Sequence, residues 1–255
     1  YAFDVLYQIY EELGYSRREA VASIINNNLY GMDIDDRAAT LASFALVMKG
    51  REYFPRIFSA LDNEEIEINT LSIQESNSLE DGIIDSLKSH NLLELIKLIE
   101  LFNDAKEYGS ILKVGDIALE KVEEEFRIFE TKEALFYDEE KRLIKILIKQ
   151  AKIMSQKYDV TVTNPPYMGL RSCSDKLKKY TEKYFKHSKS DTFAVFIERC
   201  MQMTKENRYT SMITMHSWMF LSSFENLRNL ILDTREIDTL VHLGARAFAE
   251  IGGEV

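Results

Sequence analysis

Asn164-Pro165-Pro166-Tyr167 is the stretch of this chain whose residue types can do chemistry. A side-chain amide, carbonyls without helical partners and an aromatic ring can hold a planar, amino-bearing group by its edge and its face. Consecutive prolines fix φ, remove amide hydrogens and push the residue before each of them out of the helical region. The turn is therefore stiff and extended. It follows Tyr158-Asp159-Val160-Thr161-Val162-Thr163, a β-branched run that reads as a buried strand. That puts the turn at the strand's carboxyl end, where open α/β sheets bind ligands.

An Asn-Pro-Pro-Tyr turn after a strand resembles the catalytic motif of amino-group methyltransferases that use S-adenosylmethionine, above all the adenine-N6 DNA methyltransferases. The resemblance implies that the Asn164 side-chain oxygen and the Pro165 carbonyl accept hydrogen bonds from the amino group to be methylated, with Pro166 completing the rigid turn. It also implies that Tyr167 stacks on a base swung out of the duplex, since the target nitrogen is unreachable inside it. The plain alternative is a Pro-Pro turn with a packing tyrosine.

A chain of 255 residues that is 45% hydrophobic suits one large α/β domain, with room for an insertion. Three prolines and ten glycines argue against a loop-dominated or disordered protein. No apolar run is long enough to span a bilayer and no signal-peptide pattern opens the chain. Cys173 and Cys200 have no metal-type spacing, fit a reducing cytoplasm and read as packed thiols. No metal is expected.

The elements that must position the turn begin with a helix. Phe3, Leu6, Tyr7, Tyr10 and Leu13 recur at helical spacing from Tyr1, and Gly14 stops the pattern. The chain thus opens inside an element and reads as cut from a larger protein. Ser16 with Glu19 forms a capping box for a second helix, which Asn26-Asn27-Asn28 ends. Leu29 to Asp35 is a short strand with an acidic end, and Asp36 to Lys49 a helix with Leu41, Phe44, Ala45 and Met48 on one face and Gly50 closing it. Ile66 to Ile73 alternates as a third strand.

An acidic residue at the tip of such a strand commonly takes ribose hydroxyls, because a carboxylate accepts two hydrogen bonds at once. With the resemblance, that role falls to Asp33, and Ile34 lies against the cofactor adenine; a cap or solvated charge is the other reading. Asp35 or Asp36 caps the following helix. The resemblance also calls for a side chain on the adenine's amino group, for which Glu75 is the nearest candidate, beside the reading of a plain strand-ending loop.

From Leu79 to Gln150 the chain is apolar-periodic and charged on the opposite face, as in Asn91–Phe102, Gly115–Phe129 and Glu139–Lys152. This reads as a helical insertion whose Glu/Lys runs are solvated faces. After the central motif, Arg171, Lys176, Lys178, Lys179, Lys183, Lys186, His187 and Lys189 concentrate positive charge in a chain of net charge -10. A mobile basic loop there can grip DNA phosphates; a solvated helix face explains the same residues. Asp191 caps an apolar helix, Tyr209–Met215 is a strand, Ser222 with Glu225 opens another helix and Ile237–Leu243 is a further strand. By order within the resemblance, Phe248 takes the other face of the flipped base or Trp218 lines its pocket; both also read as core aromatics.

The order of these motifs resembles the large adenine methyltransferases of restriction and phage-defence systems, of the BREX/PglX or type IIG-like kind. The implied fold is α/β: a Rossmann-like S-adenosylmethionine-dependent methyltransferase sheet with flanking helices, N-terminally truncated. Residues 1–78 are the first half of the core, lacking its first strand and glycine-rich turn; 79–152 are the insertion; 153–255 are the second half. The implied partners are double-stranded DNA, through a flipped adenine, and other defence-system subunits. The segment departs from the resemblance in lacking the glycine-rich cofactor turn and any recognisable target-recognition domain, and both absences argue against its independent activity. Methylation of RNA guanine or protein glutamine, and a non-catalytic DNA- or partner-binding subunit, are the competing functions.

Overall fold

Two compact units, Tyr1–Met154 and Ser155–Val255, divide the chain in a computed structural model that describes residues 1–132 and 137–244. In the first, helix α1 (Ala2–Glu12) turns Phe3 and Tyr7 inward. The Ser16–Glu19 capping box forms as expected: Ser16 Oγ accepts from the Glu19 amide at 3.3 Å and Glu19 Oε2 accepts from the Ser16 amide at 3.0 Å, opening α2 (Arg17–Ser23). A π-helical turn over Ile24–Asn28 leads into strand β1 (Tyr30–Asp33). Then come α3 (Asp36–Tyr53), α4 (Ile57–Asp62) and strand β2 (Asn69–Ser72). β1 and β2 pair in parallel, Tyr30 opposite Asn69 and Asp33 opposite Ser72.

Gly50 does not close α3. The helix runs on to Tyr53, and Gly50 is buried within it, because α4 and α2 cross there. A Cβ at Gly50 would stand 2.6 Å from Ile57 Cδ1, 3.2 Å from Val21 Cγ1 and 3.3 Å from Ile25 Cδ1. Absence of a side chain, and not helix termination, is what this glycine supplies. The inward face of α3 is accordingly Ala39, Val47 and Gly50, while Leu41 and Phe44, expected on the apolar face, are 67% and 61% exposed.

The segment read as an insertion is helical: α5 (Asp81–Ser89), α6 (Leu93–Leu101), α7 (Ala105–Tyr108), α8 (Leu119–Lys132) and α9 (Asp138–Ser155). It is fastened to the end of β2. Gln150 is fully buried; its Oε1 accepts from the Gln74 amide at 2.8 Å and its Nε2 donates to the Gln74 carbonyl at 3.0 Å, so one side chain continues the strand's ladder. Ser76 Oγ donates to the Ile99 carbonyl at 2.6 Å, tying the same stretch to α6.

In the second unit, β3 (Tyr158–Thr163) pairs in parallel with β4 (Thr204–Met212), placing Thr163 opposite Met212. Between them lie α10 (Asp175–Tyr184) and α11 (Thr192–Met203), and α12 (Glu225–Thr234) follows. The strand before the central motif forms, yet it is not buried: Val160 and Val162 are 56% and 73% exposed. Its inward side carries Thr161, whose hydroxyl meets those of Thr204 (2.7 Å) and Thr210 (3.2 Å). The middle of the basic run, with Lys176, Lys178, Lys179 and Lys183, is helix α10, started where Ser174 Oγ accepts from the Leu177 amide at 3.1 Å, while Arg171, Lys186, His187 and Lys189 lie in turns on either side. Ser222 and Glu225 form no capping box; Phe224 precedes α12 after a short 3-10 turn. Residues 237–243 form no strand among the described residues, and Ile237, Leu240, Val241 and Leu243 are exposed. Cys173 and Cys200 are buried, and neither is in a disulfide.

Among the described residues no helix is long and apolar enough to cross a membrane. Gly50→Val should lower stability by about 1–3 kcal/mol through overpacking, read as a lower denaturant midpoint with an unchanged slope.

Candidate functional site

Each unit presents chemistry-bearing residues at the carboxyl end of a parallel strand. In the first, Asp33 closes β1. Its backbone carbonyl accepts from the Ile73 amide at 2.8 Å, which fixes the strand end. Its Oδ1 accepts from the Asp35 amide at 2.9 Å, leaving Oδ2 without a hydrogen-bond partner among the described residues. Asp35, not Asp33, caps α3, with Oδ1 accepting from the Arg37 (2.7 Å) and Ala38 (3.0 Å) amides. Asp36 pairs with Lys106 at 3.2 Å, and hydrogen bonds from Ser72, Lys106 and Gln74 hold its carboxyl below the usual range.

Beside Asp33, Ile34 is half exposed, and its Cδ1 lies 3.9 Å from the point where a Cβ on Gly109 would stand. Gly109 has φ 58° and ψ -146°, a conformation that side-chain-bearing residues avoid. The turn that ends α7 therefore approaches β1 with bare backbone. Glu75 is half-buried, and its Oε2 accepts from the Lys106 amide at 3.4 Å, so it is engaged with the start of α7. A carboxylate with an open oxygen beside a half-exposed apolar side chain has the chemistry to meet a ribose and the base it carries.

In the second unit, Asn164 is exposed directly after β3 and Pro165 is buried. No donor among the described residues reaches the Pro165 carbonyl, whereas the Pro166 carbonyl accepts from Thr192 Oγ1 at 2.6 Å. The same hydroxyl accepts from the Met168 amide at 3.0 Å, and the Thr192 amide donates to the Met168 carbonyl at 3.0 Å. Three bonds to one residue at the start of α11 thus hold the turn. Tyr167 Oη lies 3.0 Å from both Asn164 Oδ1 and the Ile213 carbonyl; its single proton serves one of them at a time. Burial pushes the Tyr167 phenol up, so it stays protonated at neutral pH and remains a donor. An edge of the Phe193 ring supports the Tyr167 ring at 6.4 Å and 70°.

Arg171 lies in a 3-10 turn just beyond the motif, and Lys176, Lys178 and Lys179 lie on α10, with Lys178 paired to Asp175 at 3.5 Å. Trp218 is half-buried against the cluster of α11 and α12. Phe248 lies outside the described residues. Among the described residues no group of three or more His, Cys, Asp or Glu side chains could hold a metal ion. Nothing in the sequence marks Thr192 or Gly109: a threonine after a capping aspartate and a glycine in a polar turn look ordinary, and their partners lie far away along the chain.

The pattern of the Eco57I restriction-modification methylase family matches residues 27–248. The adenine-specific methyltransferase PglX of Lacticaseibacillus casei (strain Zhang) is 40% identical over 267 aligned residues, covering 100% of this chain and 22% of the relative. The adenine-specific methyltransferase BrxX of Escherichia coli O9:H4 (strain HS) is 36% identical over 281, covering 100% of this chain and 23% of the relative. The chain thus spans less than a quarter of the length of these curated relatives.

Gly109→Ala forces a side chain into a left-handed conformation and should cost about 1–3 kcal/mol. Denaturant unfolding of the variant checks this.

Proposed function

This chain belongs to the Eco57I restriction-modification methylase family, and from that premise we propose that it is part of an enzyme that methylates the N6 amino group of adenine in DNA, within a restriction-modification or phage-defence system. The observation that carries the reading is the braced Asn164–Tyr167 turn, an exposed amide held by a neutral phenol at the end of a parallel strand. The cofactor is S-adenosylmethionine, which supplies an electrophilic methyl group on its sulfonium. Its adenosine is held by Asp33 on the ribose hydroxyls, Ile34 against the adenine and Glu75 at the adenine's amino group. The fold proposed is that of the S-adenosylmethionine-dependent methyltransferases, with residues 79–152 inserted between core halves 1–78 and 153–255.

Asn164 Oδ1 has two lone pairs, so it can accept from Tyr167 and still accept from the adenine amino group. The Pro165 carbonyl takes the other amino hydrogen. Both bonds draw the nitrogen's lone pair out of the ring and toward the methyl, so catalysis is positioning; the methylated nitrogen is then cationic and strongly acidic and releases its extra proton to water, so no strong base is needed. Pro165 and Pro166 hold that geometry without flexing. Tyr167 gives the flipped base a ring to stack on, with Trp218 and Phe248 as further base contacts. Arg171, Lys176, Lys178 and Lys179 meet the DNA backbone, and other defence-system subunits are further partners. The reading implies a cytoplasmic enzyme.

The intact protein incubated with methyl-labelled S-adenosylmethionine should place label in duplex DNA as N6-methyladenine. Label in RNA guanine or protein glutamine, or no cofactor binding by calorimetry, overturns the proposal. Asn164→Ala should lower kcat by about a hundredfold or more, the scale of losing one preorganised polar contact, with cofactor affinity retained. Tyr167→Phe, which keeps the ring and removes one hydrogen bond, should lower kcat only about five- to tenfold. Asp33→Ala should instead weaken cofactor binding.

A further inference from the structure

A cleft of about 470 Å³ opens beside the Asn164–Tyr167 turn, and none of those four residues lines it. Its rim carries Arg171 and Lys189, its walls Phe193, Leu221 and Phe224, and Asp191 faces it as well. We propose that this cleft receives the nucleotide next to the one being methylated, with its phosphate on Arg171 and Lys189 and its base against the aromatic wall. The proposal rests on the DNA-methylation reading.

Charge and shape point to that occupant. Both rim cations are exposed and neither has an ion-pair partner among the described residues, in a chain of net charge -10. A lone inorganic anion suits the interior poorly, because the half-buried Asp191 carboxylate would repel it. A base with an amino or imino hydrogen suits it well, since that carboxylate can accept the hydrogen while its Oδ1 also caps α11 at the Phe193 amide, 3.2 Å away. Burial pushes the Asp191 carboxyl up, as expected of an acceptor facing a partly dry site. The volume falls in the range of small-molecule pockets, large enough for one nucleotide.

Position points the same way. Phe193 stands between the two sites, its ring 6.4 Å from Tyr167 on one side and 5.4 Å from Phe224 on the other. One ring therefore backs the methylated base and walls the neighbouring pocket. The walls are preformed: Gly169 and Asp191 make an antiparallel bridge, and Ser190 Oγ donates to the Ser223 carbonyl at 3.0 Å.

The test uses the intact protein and a duplex carrying its methylation site, either complete or with an abasic position on one side of the target adenine. Ser217→Phe fills the cleft. It should raise KM and Kd for the complete duplex about tenfold, leave cofactor affinity alone and add nothing further on the abasic duplex that lacks the cleft's base. Lys189→Ala, a surface change with little risk to folding, should raise Kd several-fold and make its salt dependence shallower by about one unit. Unchanged Kd in a folded Ser217→Phe variant, or equal losses on complete and abasic duplexes, overturns the proposal. Kd also separates the two ideas: a wild-type protein that binds DNA without methylating it defeats the methyl-transfer reading, while the cleft is still judged by the variants' Kd.

Discussion

The hydroxyl of Thr192 is the contact on which the rest of the site depends. A Pro-Pro turn is stiff inside but has few amide hydrogens of its own with which to fix its orientation. Thr192 supplies that from outside, donating to the Pro166 carbonyl at 2.6 Å and accepting from the Met168 amide at 3.0 Å. Each bond adds only about 1 kcal/mol to stability. Their larger effect is on position. With Pro166 and Met168 fixed, Tyr167 between them has its ring on Phe193 and its hydroxyl at Asn164. The chain of consequence runs from a buried threonine at the start of α11 to the exposed amide of Asn164.

A similar logic governs the first unit, where buried polar groups splice helices onto strand ends. Gln150 completes the ladder at Gln74, and Asp36 and Glu75 both engage Lys106. The turn after α7 is thereby held against Ile34, so the helical segment becomes part of the edge where Asp33 stands. An unpaired buried amide at Gln150 would be costly, which makes this join specific as well as stable.

Local signals were legible in the sequence. The Ser16–Glu19 box, the Asp35 and Asp191 caps and the helices between Leu79 and Gln150 all follow from short-range periodicity and side chain to backbone bonds. The Asn164–Tyr167 turn was legible because proline's geometry is intrinsic. What escaped depends on distant neighbours. Gly50 reads as a stop until α4 is seen crossing it, and Leu41 and Phe44 read as a buried face until α3 is seen resting on its small residues. Ser222 with Glu225 has the spacing of a cap, yet the chain enters α12 through a 3-10 turn. Ile237–Leu243 has the composition of a strand, but composition supplies no partner to pair with. The role of Thr192 is of the same kind, since nothing near it in sequence announces Pro166.

Thr192→Val removes the hydroxyl while keeping the branched shape, so following methyl transfer to DNA by the intact variant reads what the tether contributes. If the tether orients the turn, kcat falls about tenfold or more, the affinities for DNA and cofactor hold, and Thr192→Ser, which restores the hydroxyl, recovers most of the rate. A Thr192→Val protein that turns over at the wild-type rate would contradict the account.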